Sequence, residues 1–142
     1  MAGQPPDALL VAVKALARRE LSAAELLERI TRSGVSPDEA ARAVEDLRQA
    51  GYQSDERAAQ ERARVLADRG LGDAAIKADL RRRDLAVDID PIIAELPPER
   101  ERAQSIADRI GPRRRLVQTL QRKGYSEDTI FTVAGTDVAE AP

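Results

Sequence analysis

Apolar positions in this chain return every three or four residues, in short runs broken by glycine or proline. That period belongs to amphipathic helices, not strands. From Asp7, the residues Leu9, Val13 and Leu16 mark one helix face. Ser22 and Glu25 form a capping-box pair, and the helix behind them carries Ala23, Leu26, Leu27 and Ile30 inward as far as Gly34. Ser36-Pro37-Asp38-Glu39 joins a cap serine, a first-turn proline and two acids that the helix dipole favours. A third helix therefore starts there and directs Ala40, Val44 and Leu47 inward until Gly51.

The pattern then repeats. Ser54-Asp55 opens a helix running through Ala59, Ala63 and Leu66 to Gly70. Another, from about Gly72, puts Ile76 and Leu80 inside. The next, from about Asp88, holds Ile89, Ile92, Ile93 and Leu96, tolerates Pro91 in its first turn and ends at Pro97-Pro98. Leu66-Ala67-Asp68-Arg69 is echoed by Ile106-Ala107-Asp108-Arg109. Pro112 precedes a helix with Leu116, Val117 and Leu120, and Ser126 opens a last one with Ile130, Phe131 and Val133.

One phrase ties these stretches together: two apolar residues a helical turn apart, a turn residue, an apolar residue and a helix opener. It reads Leu26, Ile30, Gly34, Val35, Ser36; then Ile76, Leu80, Asp84, Leu85, Ala86; then Leu116, Leu120, Gly124, Tyr125, Ser126. Copies begin about 40–50 residues apart, the spacing of repeated supersecondary units. The expected fold is all-α, three tandem three-helix repeats forming an elongated, curved array. Repeats are expected at 7–53, 54–97 and 98–135, between a flexible N-terminus at 1–6 and a flexible tail at 136–142. Each unit is near the size at which an isolated domain lacks buried surface, so stacking must supply the rest. Stacked bodies of this kind usually bind rather than catalyse.

Composition narrows the chemistry. Aromatic residues are only 2% of the chain, so any core is built from Leu, Ile, Val and Ala. Cysteine and histidine are absent, which removes disulfides, thiol chemistry, the usual zinc sites and histidine acid–base catalysis. A carboxylate-only metal site remains possible, but the acids are scattered along helix faces, so neither a cofactor nor a metal is expected. No apolar run approaches the roughly 18 residues of a membrane span, and the N-terminus has no signal-like stretch. A cytoplasmic monomer without membrane contact is the expectation.

The net charge of −2 conceals a segregation that says more about partners than the total does. Between Pro112 and Tyr125 stand Arg113, Arg114, Arg115, Arg122 and Lys123 without an acid; after Ser126 come Glu127, Asp128, Asp137 and Glu140 without a base. Lys77, Arg81, Arg82 and Arg83 occupy the corresponding helix of the preceding repeat. Guanidinium forks suit phosphate and carboxylate alike, so these nine residues are the candidate partner-binding faces. Successive helix positions fan out by about 100°, so no run of three arginines meets one surface; Lys77, Arg82 and Arg114 stand slightly ahead.

Other signals have plainer readings. Tyr52, Tyr125 and Phe131 sit beside turn glycines or inside apolar patterns, which favours packing over base stacking. Asp55-Glu56 falls at a helix start, where acids are favoured without any catalytic role. Leu26–Leu47 has the outline of a helix-turn-helix, but its second helix opens with Asp38 and Glu39, which would face phosphates.

Three turns carry a family resemblance that covers the chain from about Ala8 to Val133. Gly51-Tyr52-Gln53-Ser54-Asp55-Glu56-Arg57 is similar to the Gly-Tyr/Phe-Leu-Asp-Asp-Glu-Arg signature of the RecX family, bacterial regulators of the RecA recombinase. Arg69-Gly70-Leu71-Gly72, followed by Ile76 and Leu80, resembles that family's Arg-Gly-x-Gly turn and basic helix, and Arg122-Lys123-Gly124-Tyr125-Ser126 its third-repeat turn. The chain departs from the family pattern at Ala58, where an aromatic is usual, at Asp73-Ala74-Ala75-Ile76 in place of Pro-x-x-Ile, and at Asp84 in place of a turn glycine. The resemblance implies binding in the groove of RecA–single-stranded DNA filaments and inhibition of recombinase, ATPase and co-protease activities. Weak direct DNA contact would accompany it. A stand-alone DNA-binding protein and a generic helical scaffold remain the alternatives.

Overall fold

A computed structural model describes residues 6–135. Among the described residues there are nine α-helices and no strand: α1 (Ala8–Leu16), α2 (Ala23–Arg32), α3 (Pro37–Gln49), α4 (Asp55–Asp68), α5 (Asp73–Arg81), α6 (Ile89–Ala94), α7 (Glu99–Ala107), α8 (Arg113–Arg122) and α9 (Glu127–Ala134). The all-α expectation holds. Of the flexible segments expected at 1–6 and 136–142, all residues but Pro6 lie outside the described ones. The chain groups into two compact bodies, one comprising residues up to Glu61 with Arg83–Val87, the other Arg62–Arg82 with the residues from Asp88 onward.

In the first body α1, α2 and α3 pack on one another around Leu21, Leu26, Ile30, Val35, Ala40, Val44 and Leu47. The expected capping box is present: Ser22 Oγ accepts from the Glu25 N–H at 3.0 Å, and Glu25 Oε1 accepts from the Ser22 N–H at 3.0 Å. Ser36 caps α3 with one bond, its Oγ accepting from the Glu39 N–H at 3.3 Å. Gly34 turns the chain at φ +106°, a conformation that side chains resist.

Helix α1 corrects the sequence reading. Ala12 and Ala15 are its buried residues, flanked by the partly buried Ala8, Val11 and Leu16, whereas Leu9 and Val13 face outward. The helix is apolar on nearly all sides, so periodicity could not say which face enters the core. Small alanines allow the closer approach and win. Leu27, also expected inside, lies partly exposed on α2.

The junction from Gly51 to Arg57 is a hydrogen-bonded knot within this body. Gln53 is buried, and its Nε2 donates to the Leu21 carbonyl at 3.1 Å and to Asp55 Oδ1 at 2.9 Å. Asp55 also accepts the N–H of Ala23 at 2.7 Å and that of Ala86 at 2.9 Å. Arg57 donates to the Gly51 carbonyl at 2.8 Å and pairs with Glu20 at 3.3 Å. These contacts occupy Asp55 structurally, in keeping with its reading as a helix-start acid. Tyr52, expected to pack, is exposed: the turn buries its neighbour Gln53 and turns the ring outward.

In the second body α5 packs on α6, and α7, α8 and α9 pack mutually around Ala103, Ile106, Leu116, Leu120, Tyr125 and Ile130. Tyr125 is buried as expected, but Phe131 is exposed, because Ile130 and Val133 take the inward positions of α9. The two turns singled out in the sequence meet here. The Gly72 N–H donates to the Lys123 carbonyl at 2.8 Å, and the Tyr125 hydroxyl donates to the Gly70 carbonyl at 2.8 Å. The backbones are so close that a Cβ on Gly72 would lie 2.5 Å from the Gly124 oxygen.

Candidate functional site

The nine candidate cations divide sharply once placed. Arg83 is half-buried and pairs with Glu25 at 3.1 Å within the first body. In the second body Lys77 lies 3.8 Å from Asp90, and Arg82 lies 3.7 Å from Asp79 while remaining mostly exposed. Arg113 Nε donates to the Ala134 carbonyl at 2.8 Å, and Lys123 Nζ donates to the Arg69 carbonyl at 3.3 Å. Arg81, Arg114, Arg115 and Arg122 are exposed.

The two basic runs lie on the helices expected, at opposite ends of them. The arginine runs do not occupy equivalent positions: Arg81 and Arg82 end α5, Arg83 lies in the following turn, and Arg113-Arg114-Arg115 open α8. Of the three ranked slightly ahead from sequence, Lys77 and Arg82 each lie within 4 Å of a carboxylate, as Arg83 also does, while Arg114 is exposed.

Helix α8 concentrates the exposed charge. Leu116, Thr119 and Leu120 are its buried positions. At about 100° per residue, Arg114, Arg115, Gln118, Gln121 and Arg122 then share the opposite face, and all five are exposed. That face holds no acid. Cations ordinarily gather at helix C-termini, and an acid in the first turn contributes about 0.3–1 kcal/mol. Helix α8 instead opens with three arginines, without a first-turn acid and without a side-chain cap, whereas α2, α3 and α9 each have both. The arrangement forgoes local stability and offers forked donors beside the positive end of a helix dipole, which suits an anionic partner.

Two residues that escaped the sequence reading hold this body together. Arg102 is buried and donates to the Pro97 carbonyl at 2.6 Å, the Leu71 carbonyl at 3.2 Å and Asp73 Oδ1 at 2.7 Å. Glu99 accepts from the Asp73 N–H at 3.0 Å, the Thr129 hydroxyl at 2.7 Å and the Ser126 hydroxyl at 3.1 Å. A signal for Arg102 existed: it lies one turn before Ile106, on the face that Ala103 and Ile106 bury.

Burial alone would raise the Glu99 pKa, but the donors from Thr129, Asp73 and Ser126 outweigh it and hold the carboxyl below its ordinary value of 4.5. A folded-state pKa below the unfolded one stabilises the fold above the unfolded value, and that contribution is lost as pH falls through the folded value. Urea midpoints should therefore drop on acidification below about pH 4.5, and Glu99→Gln should flatten that part of the profile while lowering the neutral-pH midpoint. An unchanged pH profile in the variant would contradict this role.

Among the described residues no group of His, Cys, Asp or Glu could hold a metal ion, and no helix is long and apolar enough to cross a membrane. The fold and this face define an all-α protein whose distinguishing surface is an acid-free arginine face. The chain belongs to the RecX family of regulatory proteins. It is 34% identical to the regulatory protein RecX of Syntrophotalea carbinolica, over 88% of this chain and 92% of that one. It is 31% identical to RecX of Trichlorobacter lovleyi over 89% of this chain and 93% of its relative, and 30% identical to RecX of Acidithiobacillus ferrooxidans over 95% and 93%. The fold agrees with the crystal structure of RecX from Lactobacillus salivarius, with a TM-score of 0.75 at 16% identity across 94% of this chain and 96% of that one. No protein-family profile matches the chain.

Proposed function

We propose that this protein is a non-enzymatic, cytoplasmic inhibitor of RecA, which binds as a monomer in the groove of RecA–single-stranded DNA filaments and restrains recombinase, ATPase and co-protease activity. The observation that carries the reading is the acid-free α8 face with Arg114, Arg115 and Arg122, together with membership of the RecX family. Arg81 and Arg82 at the end of α5 extend the set of exposed cations.

The helices are proposed to form three tandem modules at 7–53, 54–97 and 98–135. The recurring turn phrase and the mutual packing within α1–α3 and within α7–α9 support that division. A tandem body laid along a periodic polymer engages several subunits, and modest contacts then combine through effective concentration. Occupying the groove obstructs incoming duplex and hinders filament growth.

The assay is RecA-dependent ATP hydrolysis on single-stranded DNA, with this protein titrated in. Inhibition below stoichiometric saturation supports the reading, and none at saturation contradicts it. The α8 face also favours a second reading, direct binding to bare DNA phosphates. Filter binding to naked strands, with a steep fall in affinity as salt rises, would identify that case.

A further inference from the structure

The first body carries a second surface, unlike the arginine face in chemistry. Leu9, Leu10 and Val13 of α1 are 45%, 52% and 49% exposed. Leu9 and Val13 are one turn apart, Leu10 lies beside them on the outward side, and Lys14 is one turn beyond Leu10, with Arg18 in the turn that follows the helix. Beside Lys14, on the flank of α1 that carries Val11 and Ala15 and away from Leu9 and Val13, opens a groove of about 510 Å³, lined by Val11, Ala15, Ala17, Lys14, Arg18 and Arg29. Its apolar part is Val11, Ala15 and Ala17. Its charged lining is entirely cationic. The nearby acids are committed elsewhere: Asp7 accepts from the Leu9 and Leu10 N–H groups, Glu25 pairs with Arg83, and Glu28 pairs with Arg32.

A helix that is apolar on all sides is normally buried on all sides, and α1 buries only the side of Ala12 and Ala15. We propose that the outward face of α1 and the adjoining groove dock an acidic, amphipathic helix of a partner protein. Leucine-type side chains of the partner cover Leu9, Leu10 and Val13, and its carboxylates reach Lys14, Arg18 and Arg29. Charge complementarity selects this occupant. A second copy of the chain would bring three cations against three of the same sign. This inference goes beyond the filament reading and is tested without RecA, so either can fail alone.

The probe is a fluorescently labelled synthetic peptide helix with leucines on one face and glutamates on the other, titrated with the full chain and read by anisotropy. A control peptide carries lysines in place of the glutamates. The glutamate peptide should bind and the lysine peptide should not. Leu10→Asp with Val13→Asp should weaken binding about tenfold or more. Lys14→Glu with Arg18→Glu should abolish binding of the glutamate peptide and admit the lysine one. All four positions are exposed, so circular dichroism should show unchanged helicity in both variants. Absence of binding, equal binding of the two peptides, or insensitivity to both substitutions overturns the proposal. So does a wild-type dimer in sedimentation that Leu10→Asp dissolves, or a preference for phosphatidylglycerol vesicles over the peptide.

Discussion

Replacing Arg102 with alanine should destabilise the second body by about 3–5 kcal/mol, the cost of removing one partner from a buried, hydrogen-bonded ion pair. The guanidinium ties the chain on both sides of α5: the Leu71 carbonyl and Asp73 side chain at its start, and the Pro97 carbonyl before α7. Without it, two carbonyls and a carboxylate lose their donor, and each buried unsatisfied group costs about 1–3 kcal/mol. Lysine should rescue little, because a single ammonium cannot match a planar fork aimed at three acceptors. Urea denaturation followed by circular dichroism checks both variants. A midpoint for Arg102→Ala within error of wild type would remove this residue from the account.

Gly72→Ala should cost nearly as much, about 3 kcal/mol, by an unrelated mechanism. The backbone at Gly72 is not strained; what forbids a side chain is space. A Cβ would meet backbone oxygen, carbon and nitrogen of Gly124 and Tyr125 at 2.5–2.6 Å, and backbone cannot swing aside as a flexible side chain does. Separating the two turns would also stretch the Gly72–Lys123 hydrogen bond and the Tyr125 hydroxyl bond to Gly70. Gly111→Ala is the matched control, since an added Cβ there meets nothing within 4 Å. Its midpoint should stay put or rise slightly. Equal effects at the two glycines would refute the close-contact argument.

Helix positions were legible in the sequence because their ends are chemically marked. Ser22, Ser36 and Ser126 cap helices where the pattern placed them, and the glycines at 34, 51, 70 and 124 all adopt positive φ. Asp84 also takes a positive φ, filling the role of the turn glycine it replaces. The core was legible wherever a helix had one apolar stripe, as in α3, α5 and α8. It was misread in α1, whose sides are almost equally apolar, and at Phe131, where adjacent Ile130 competes for the interior.

The candidate site was half legible. Charge segregation pointed to α8, and the fan of helix positions correctly warned that a run of arginines would divide. Which arginines remain outward depends on partners distant in sequence: Glu25 for Arg83, Ala134 for Arg113. Local pattern carries no information about those pairs. The same limit hid Glu99, whose donors lie about thirty positions away in either direction.

The central claim, that the α8 arginine face engages the RecA filament, meets its most direct test in one titration. Arg114→Glu and Arg115→Glu place acids where the helix dipole favours them, and Arg122→Gln removes the third charge, so the triple variant should fold normally. Its half-inhibitory concentration for RecA ATP hydrolysis on single-stranded DNA should rise about tenfold or more over wild type. Inhibition at wild-type strength by a folded triple variant would contradict the account.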